Sequence, residues 1–274
     1  MSAAPETKSP SQPEAASAEA TIPSLLIDGA CATIQLNRPA KLNRIEPADL
    51  AALAEYIDTV NANPDIRVLI LTGTGRVFSA GYHLGDLDDR KAGRSKATGP
   101  QFEDVADALE ECRVPTICAL NGSVYGGSTD LALACDFRIG VLGSEMLMPA
   151  GKLGVHYYLG GMRRYVSRLG LAAAKRLFLR ARPIDTDEML RIGYIDQAVE
   201  KEQLAQTVDE LRDILAHNAP LPLQHMKRAL NEIARNDVDL DAFNAGYKAC
   251  ADSDDLAEGL AAWKARRVPE FTGS

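Results

Sequence analysis

The chain has 274 residues and a formal net charge of -8, with 46% hydrophobic residues. That is enough apolar material for one large core, and no stretch approaches the ~20 apolar residues of a membrane span. The acidic balance, with no long run of one sign, argues against nucleic acid or an anionic membrane as the main partner, although a local basic patch for phosphate remains allowed. The five cysteines, Cys31, Cys112, Cys118, Cys135 and Cys250, form no CxxC or Cys/His cluster. They are read as reduced, mostly buried thiols of a cytoplasmic protein. The histidines His83, His156, His217 and His225 are scattered, so no metal site and no resident cofactor are expected.

Residues 1–21, rich in Ala, Pro, Ser and Glu, read as a disordered tail without an apolar signal region or an arginine-rich presequence. Two strand-like runs, Ser24–Asp28 and Cys31–Leu36, flank Asp28-Gly29, a hairpin turn signal. Pro47 begins a helix to about Val60, with Leu50, Leu53, Ile57 and Val60 on one face. The run Arg67–Thr72 reads as a strand buried on both faces. Phe102, Val105, Leu109 and Cys112 mark an amphipathic helix. Pro115–Leu120 reads as a strand, residues around 126–134 as a helix, and Phe137–Val141 as a strand. Strands alternating with helices and turn-rich links predict a layered α/β domain with parallel sheets. After about residue 160 the pattern is almost wholly helical. Asp185 and Glu188 have capping-box spacing with Gly193 closing the short helix, and further helices fall at roughly 201–216, 220–235, 239–250 and 254–265. The division expected is a tail at 1–21, an α/β core at 22–200 and a helical C-terminal oligomerisation region at 201–274.

Two segments carry chemistry. Phe78-Ser79-Ala80-Gly81-Tyr82-His83-Leu84 follows a strand, and its small residues let backbone approach a ligand closely. An ordinary tight turn explains the same residues. Asn121-Gly122-Ser123-Val124-Tyr125-Gly126-Gly127-Ser128-Thr129-Asp130 joins a strand to a small-residue helix whose unpaired N–H groups suit an enolate or another oxyanion. Close helix–sheet packing is the alternative use of those glycines.

Taken together, these segments resemble the crotonase (enoyl-CoA hydratase/isomerase) family over nearly everything from residue 23 onward. Leu36-Asn37-Arg38-Pro39 with Asn43, the two loops above, the segment Ala181–Gly193 and the segment Asp252–Phe271 carry the resemblance. It implies a spiral of strand–strand–helix units with a helical C-terminal part, an acyl-CoA thioester substrate that carries its own coenzyme A, and a homotrimer or dimer of trimers. Position by position it assigns the oxyanion donors to the N–H groups of Tyr82 and Gly127, with Ala80 beside the ligand. Lys41 and Arg44, in Ala40–Arg44, and Arg266, with Lys264 nearby, become cations for the CoA phosphates, solvated surface charge being the plainer reading of each.

The acid/base positions depart from the family. The first of its two glutamates falls at Asp130, one methylene shorter, which moves the oxygens by over ~1 Å. A helix-end acid is the competing reading of Asp130. The second falls at Ala150, which transfers no proton. His156, Tyr157 and Tyr158 follow directly and Glu145 precedes as candidate replacements, with packing or pocket lining as the plainer role of each. Gly154–Tyr157 also resembles the methylmalonyl-CoA decarboxylase branch, although Tyr82 and Asp130 differ from it. The 78–84 loop is similar to that of aryl-CoA dehalogenases, but Tyr158 stands where their nucleophilic aspartate belongs, which excludes that activity. The expectation is therefore an acyl-CoA enzyme with an intact oxyanion site and an altered acid/base pair, in which Asp130 faces the substrate. The alternatives are an acyl-CoA decarboxylase or other lyase, or a non-catalytic acyl-CoA-binding protein.

Overall fold

Gly29 and Ala30 turn the chain, one residue beyond the Asp28-Gly29 signal, with Gly29 at φ 54°, where the lack of a Cβ removes the usual penalty. Strands β1 (Ser24–Asp28) and β2 (Cys31–Leu36) pair antiparallel across that turn. This computed structural model describes residues 22–83, 85 and 99–274; the tail expected at 1–21 and Leu84 of the first loop lie outside the described residues. From β2 the sheet continues in parallel through β3 (Val68–Gly73), β5 (Thr116–Leu120), β7 (Phe137–Val141) and β10 (Gln197–Val199). A smaller sheet holds β4 (Val77–Ser79), β6 (Ser123–Tyr125), β8 (Glu145–Leu147) and β9 (Ile184–Asp185), in that order. The chain thus steps from the large sheet to the small one three times, at β3 to β4, β5 to β6 and β7 to β8. The sequence reading named no strand at β4, β6 or β8. Three residues are too few to show a period of two, and only pairing with neighbours makes them a sheet.

Both faces of β3 are covered, as its apolar run requires. Leu69 and Leu71 join a core with Leu53 and Ile57 of α1 (Pro47–Ala62) and Leu109 of α2 (Phe102–Glu110). Val68 and Ile70 face the other way, onto Val208 and Leu215 of α8 (Leu204–His217). The helix α8 therefore completes the large sheet, and the boundary expected at residue 200 falls just before a helix that packs on the α/β core. Between these lie α3 (Ser128–Ala134), α4 (Ala150–Leu153), α5 (Leu159–Leu169), α6 (Leu171–Arg180) and α7 (Thr186–Arg191). The Asp185 side chain accepts from the Glu188 N–H at 2.9 Å and caps α7, and Gly193 follows at φ 74°. The last helices, α9 (Pro220–Arg235), α10 (Leu240–Ala251) and α11 (Asp254–Ala265), leave large apolar side chains uncovered, with Leu240 68%, Tyr247 73% and Trp263 85% exposed.

Candidate active site

The small sheet positions the site. Its strands β4, β6 and β8 lie side by side in parallel. Residues just beyond their C-terminal ends, namely Ala80 and Tyr82, Gly126 and Gly127, and Met148 to Ala150, line one cavity of about 570 Å³. Crevices form at this end of parallel strands because neighbouring chain segments leave the sheet there in different directions.

The first two loops are held by buried polar groups. The Ser79 hydroxyl donates to the Asn43 carbonyl at 2.7 Å, so the Ser128 hydroxyl, also at 2.7 Å, is the donor in the bond that ties β4 to α3. The Gly81 N–H donates to the same Ser79 oxygen at 3.1 Å. Asn43 is itself saturated: its amide donates to the Thr74 and Val77 carbonyls, and its oxygen accepts from the Arg38 N–H. Arg38 forks onto Asp49 at 2.9 and 3.0 Å, and both residues are buried. The motif Leu36–Pro39 with Asn43 is thus the clamp behind the first loop. Gly81, at φ 89°, is where the loops meet. A Cβ there would stand 2.7 Å from the Tyr125 carbonyl oxygen and 3.3 Å from the Gly127 nitrogen, so only glycine lets the two backbones close up. Beside it, a Cβ at Gly127 would stand 2.9 Å from the Phe102 ring.

The opposite wall differs from the expectation. Ala150 lines the cavity and offers no proton-transfer group. Asp130 does not line it, which corrects the reading that it faces the substrate. Its carboxylate is fully buried and held by Arg164, with Nε–Oδ1 at 3.1 Å and Nη2–Oδ2 at 2.8 Å. The physical reason is charge: an acid buried this deeply needs a counter-ion, and Arg164 on α5 supplies one. Arg164 also binds Asp107 at 2.7 Å and Glu110 at 3.1 Å, and Glu110 in turn binds Arg168 at 3.0 Å. Burial alone pushes the Arg164 guanidinium down, but Asp130, Glu110 and Asp107 together raise it above the ordinary arginine value, so it stays charged.

Asp130 reaches the cavity only through tyrosine. Tyr158 donates its hydroxyl to Asp130 Oδ2, and Tyr157 donates to Tyr158 at 3.3 Å. Burial, then the Asp130 charge, pushes both phenols above the ordinary tyrosine value, so both are neutral donors at neutral pH. His156 is exposed and lines the cavity, with its Nδ1 2.9 Å from the Tyr157 carbonyl. A carbonyl only accepts, so Nδ1 carries the hydrogen and the neutral ring keeps Nε2 as its basic nitrogen.

Of the residues singled out in the sequence, the cavity brings together Ala80, Tyr82, Gly127, His156 and Tyr157. Lys41 and Arg44 stand apart from its lining and pair with Glu46 at 3.8 and 2.5 Å. Arg266 is an exposed residue at the end of α11, at φ 54°. The sequence reading gave no site role to Phe102, Glu103 or Arg164. Phe102 and Glu103 were unmarked by any motif. Arg164 did leave a signal, an arginine between Gly161 and Tyr165 on a helix face whose other members are buried. All five cysteines are free thiols. Among the described residues no group of three His, Cys, Asp or Glu is placed to hold a metal ion, and no helix is long and apolar enough to cross a membrane.

A chain that winds between two sheets, with a cavity where the small sheet's strands end and helices following, has the crotonase-type α/β fold. Solved structures with the same fold include an enoyl-CoA hydratase/isomerase family protein from Hyphomonas neptunium, at TM-score 0.86 and 26% identity, covering 94% of this chain and 100% of that one. An enoyl-CoA hydratase from Bacillus anthracis superposes at TM-score 0.83 and 27% identity, covering 93% and 100%. The chain belongs to the enoyl-CoA hydratase/isomerase family, whose family model matches residues 27–274. It is similar to a crotonyl-CoA hydratase from Syntrophomonas wolfei, 30% identical over 88% of this chain and 94% of the relative. It is also similar to a 1,2-epoxyphenylacetyl-CoA isomerase from Escherichia coli, 33% identical over the same shares.

Proposed function

We propose that the protein binds an acyl-CoA thioester with its carbonyl oxygen between the N–H groups of Tyr82 and Gly127, and stabilises the enolate that forms when a proton leaves or joins the α-carbon. The observation that carries this reading is the contact of the two glycine loops at Gly81, at the mouth of three parallel strands, which sets Ala80 and Tyr82 beside Gly126 and Gly127 on the cavity wall. Backbone donors held rigidly stabilise developing negative charge without reorganising, typically by 2.7–4 kcal/mol or about 10²–10³-fold for one donor. Coenzyme A arrives with the substrate; Lys41, Arg44 and Arg266 are the cations we assign to its phosphates.

The proton-transfer partner in this reading is His156 through Nε2, with the Tyr157–Tyr158–Asp130 chain holding the wall beside it. Asp130 stays the acceptor that orients Tyr158, because its own oxygens are committed to Arg164. Hydration by two carboxylates is then weakened, and the reaction that suits the site best moves a proton at one face of the acyl chain, as in double-bond isomerisation or slow hydration. The exposed apolar faces of α9, α10 and α11 favour a homotrimer or a dimer of trimers. A monomer by light scattering at micromolar concentration overturns that assembly.

The test is a panel of 2-enoyl-, 3-enoyl- and malonyl-type CoA thioesters. Turnover of the enoyl thioesters, lost by 10²-fold or more in His156→Ala, supports the assignment. Turnover of the malonyl-type thioester alone favours the lyase reading. Tight binding with no turnover of any member favours a binding protein.

A further inference from the structure

The chain contains six Phe, eight Tyr and one Trp, and five of these aromatic side chains, Tyr82, Phe102, Tyr125, Tyr157 and Tyr158, line the one cavity described above. We propose, resting on the acyl-CoA reading of that site, that the acyl group it accepts carries an aromatic ring.

The disposition of the tyrosine hydroxyls supports this. A tyrosine lines a pocket either as a polar hook or as a ring face, and its hydrogen-bond partner distinguishes the two. Tyr125 donates to Glu145 at 2.9 Å, and Glu145 is outside the cavity lining. Tyr158 donates to the buried Asp130, also outside the lining, and Tyr157 donates to Tyr158. Each of these three hydroxyl protons is therefore committed within the protein. What these residues offer a ligand is ring surface.

The rings are also held so that the cleft does not collapse when empty. Tyr157 stacks on Tyr158 with centroids 4.4 Å apart and planes at 25°. Phe178 backs it at 5.2 Å and Tyr165 at 6.5 Å. On the loop side, Tyr82 and Phe102 meet edge to face at 6.0 Å and 76°, with Phe102 leaning over Gly127 where a Cβ would stand 2.9 Å from it. Rings fixed in this way lose little conformational entropy on binding. A saturated chain gains only apolar burial from such walls. An aromatic ring also gains stacked and edge-to-face contacts, each adding roughly twofold to tenfold in affinity.

The experiment compares three thioesters on the full chain by isothermal titration calorimetry: cinnamoyl-CoA, its ring-saturated counterpart 3-cyclohexylacryloyl-CoA, and crotonyl-CoA. The two ring compounds share one carbon skeleton and differ in the π face and in the greater thickness of the saturated ring, so the Phe102→Leu comparison isolates the ring contact. Cinnamoyl-CoA is expected to bind at least fivefold tighter than the cyclohexyl compound, with the ratio falling toward one in Phe102→Leu. Equal binding of the two ring compounds, or preference for the cyclohexyl or crotonyl thioester, overturns the aromatic assignment and leaves the acyl-CoA reading standing. Failure of all three thioesters to bind overturns both.

Discussion

Across the cavity, the wall made by residues 80–82 and 126–127 presents backbone, and the wall made by Ala150 and residues 155–158 presents side chains. The first is fixed by Ser79, Ser128, Asn43 and the Arg38–Asp49 pair, all buried. The oxyanion role proposed for it uses backbone N–H groups, which a change of side chain leaves in place, so tyrosine at 82 is compatible with it. The second depends on which side chain stands where: Ala150 lines it, and Asp130, behind it, is paired with Arg164. The contrast teaches that a backbone site depends on loop geometry, whereas a side-chain site depends on the identity and the pairing of single residues.

The largest way to break this comparison is to remove the ion pair. Arg164→Met leaves Asp130 and Glu110 buried without their shared cation, and a loss of about 3–5 kcal/mol in urea-denaturation stability is expected. Adding Asp130→Leu should restore part of that loss. A single variant as stable as wild type shows that the network contributes no net structure.

Next comes the backbone wall. Gly81→Val places a side chain against the Tyr125 carbonyl and the Gly127 nitrogen. Turnover of the best acyl-CoA substrate should fall about 10²–10³-fold, with the circular dichroism spectrum unchanged. A variant that keeps its rate while folded removes Gly127 from the oxyanion assignment.

Ala150→Glu sharpens the other half of the comparison. Restoring a carboxylate at that corner should raise crotonyl-CoA hydration by about tenfold or more, below the 10²–10⁴-fold of a fully positioned acid or base. No rise in a folded variant means the corner no longer addresses the β-carbon.

The smallest effect concerns pH. Burial raises Tyr157, Tyr158, Tyr165 and Tyr194 above the ordinary value of 10.0. Above that value the unfolded chain loses tyrosine protons that the folded chain keeps. The stability these groups contribute is therefore complete below pH 10 and is lost as pH climbs past it. Thermal melts from pH 8 to 11 should show the decline begin near pH 10. Tyr158→Phe should make it shallower by one tyrosine's share, at a cost of about 1 kcal/mol near neutral pH for the lost hydrogen bond. A decline as steep in the variant as in wild type sinks the assignment to Tyr158.

Much of this molecule follows from local sequence. The hairpin signalled by Asp28-Gly29, the doubly buried strand β3, the Asp185 cap and the helices after residue 200 rest on turn chemistry, periodicity and capping, each set by neighbours in the chain. The two glycine loops were legible because a close backbone approach demands small residues wherever it occurs. Only the tertiary structure decided the rest. The strands β4, β6 and β8 exist because they pair with one another. Asp130 is withdrawn from the cavity because Arg164, 34 positions away, lies against it. The aromatic wall gathers rings from four separate stretches of the chain, at residues 82, 102, 125 and 157–158. Pairing, counter-charge and ring packing are relations between residues distant in the chain, and no local pattern of residue types encodes which distant side chain comes to lie beside which.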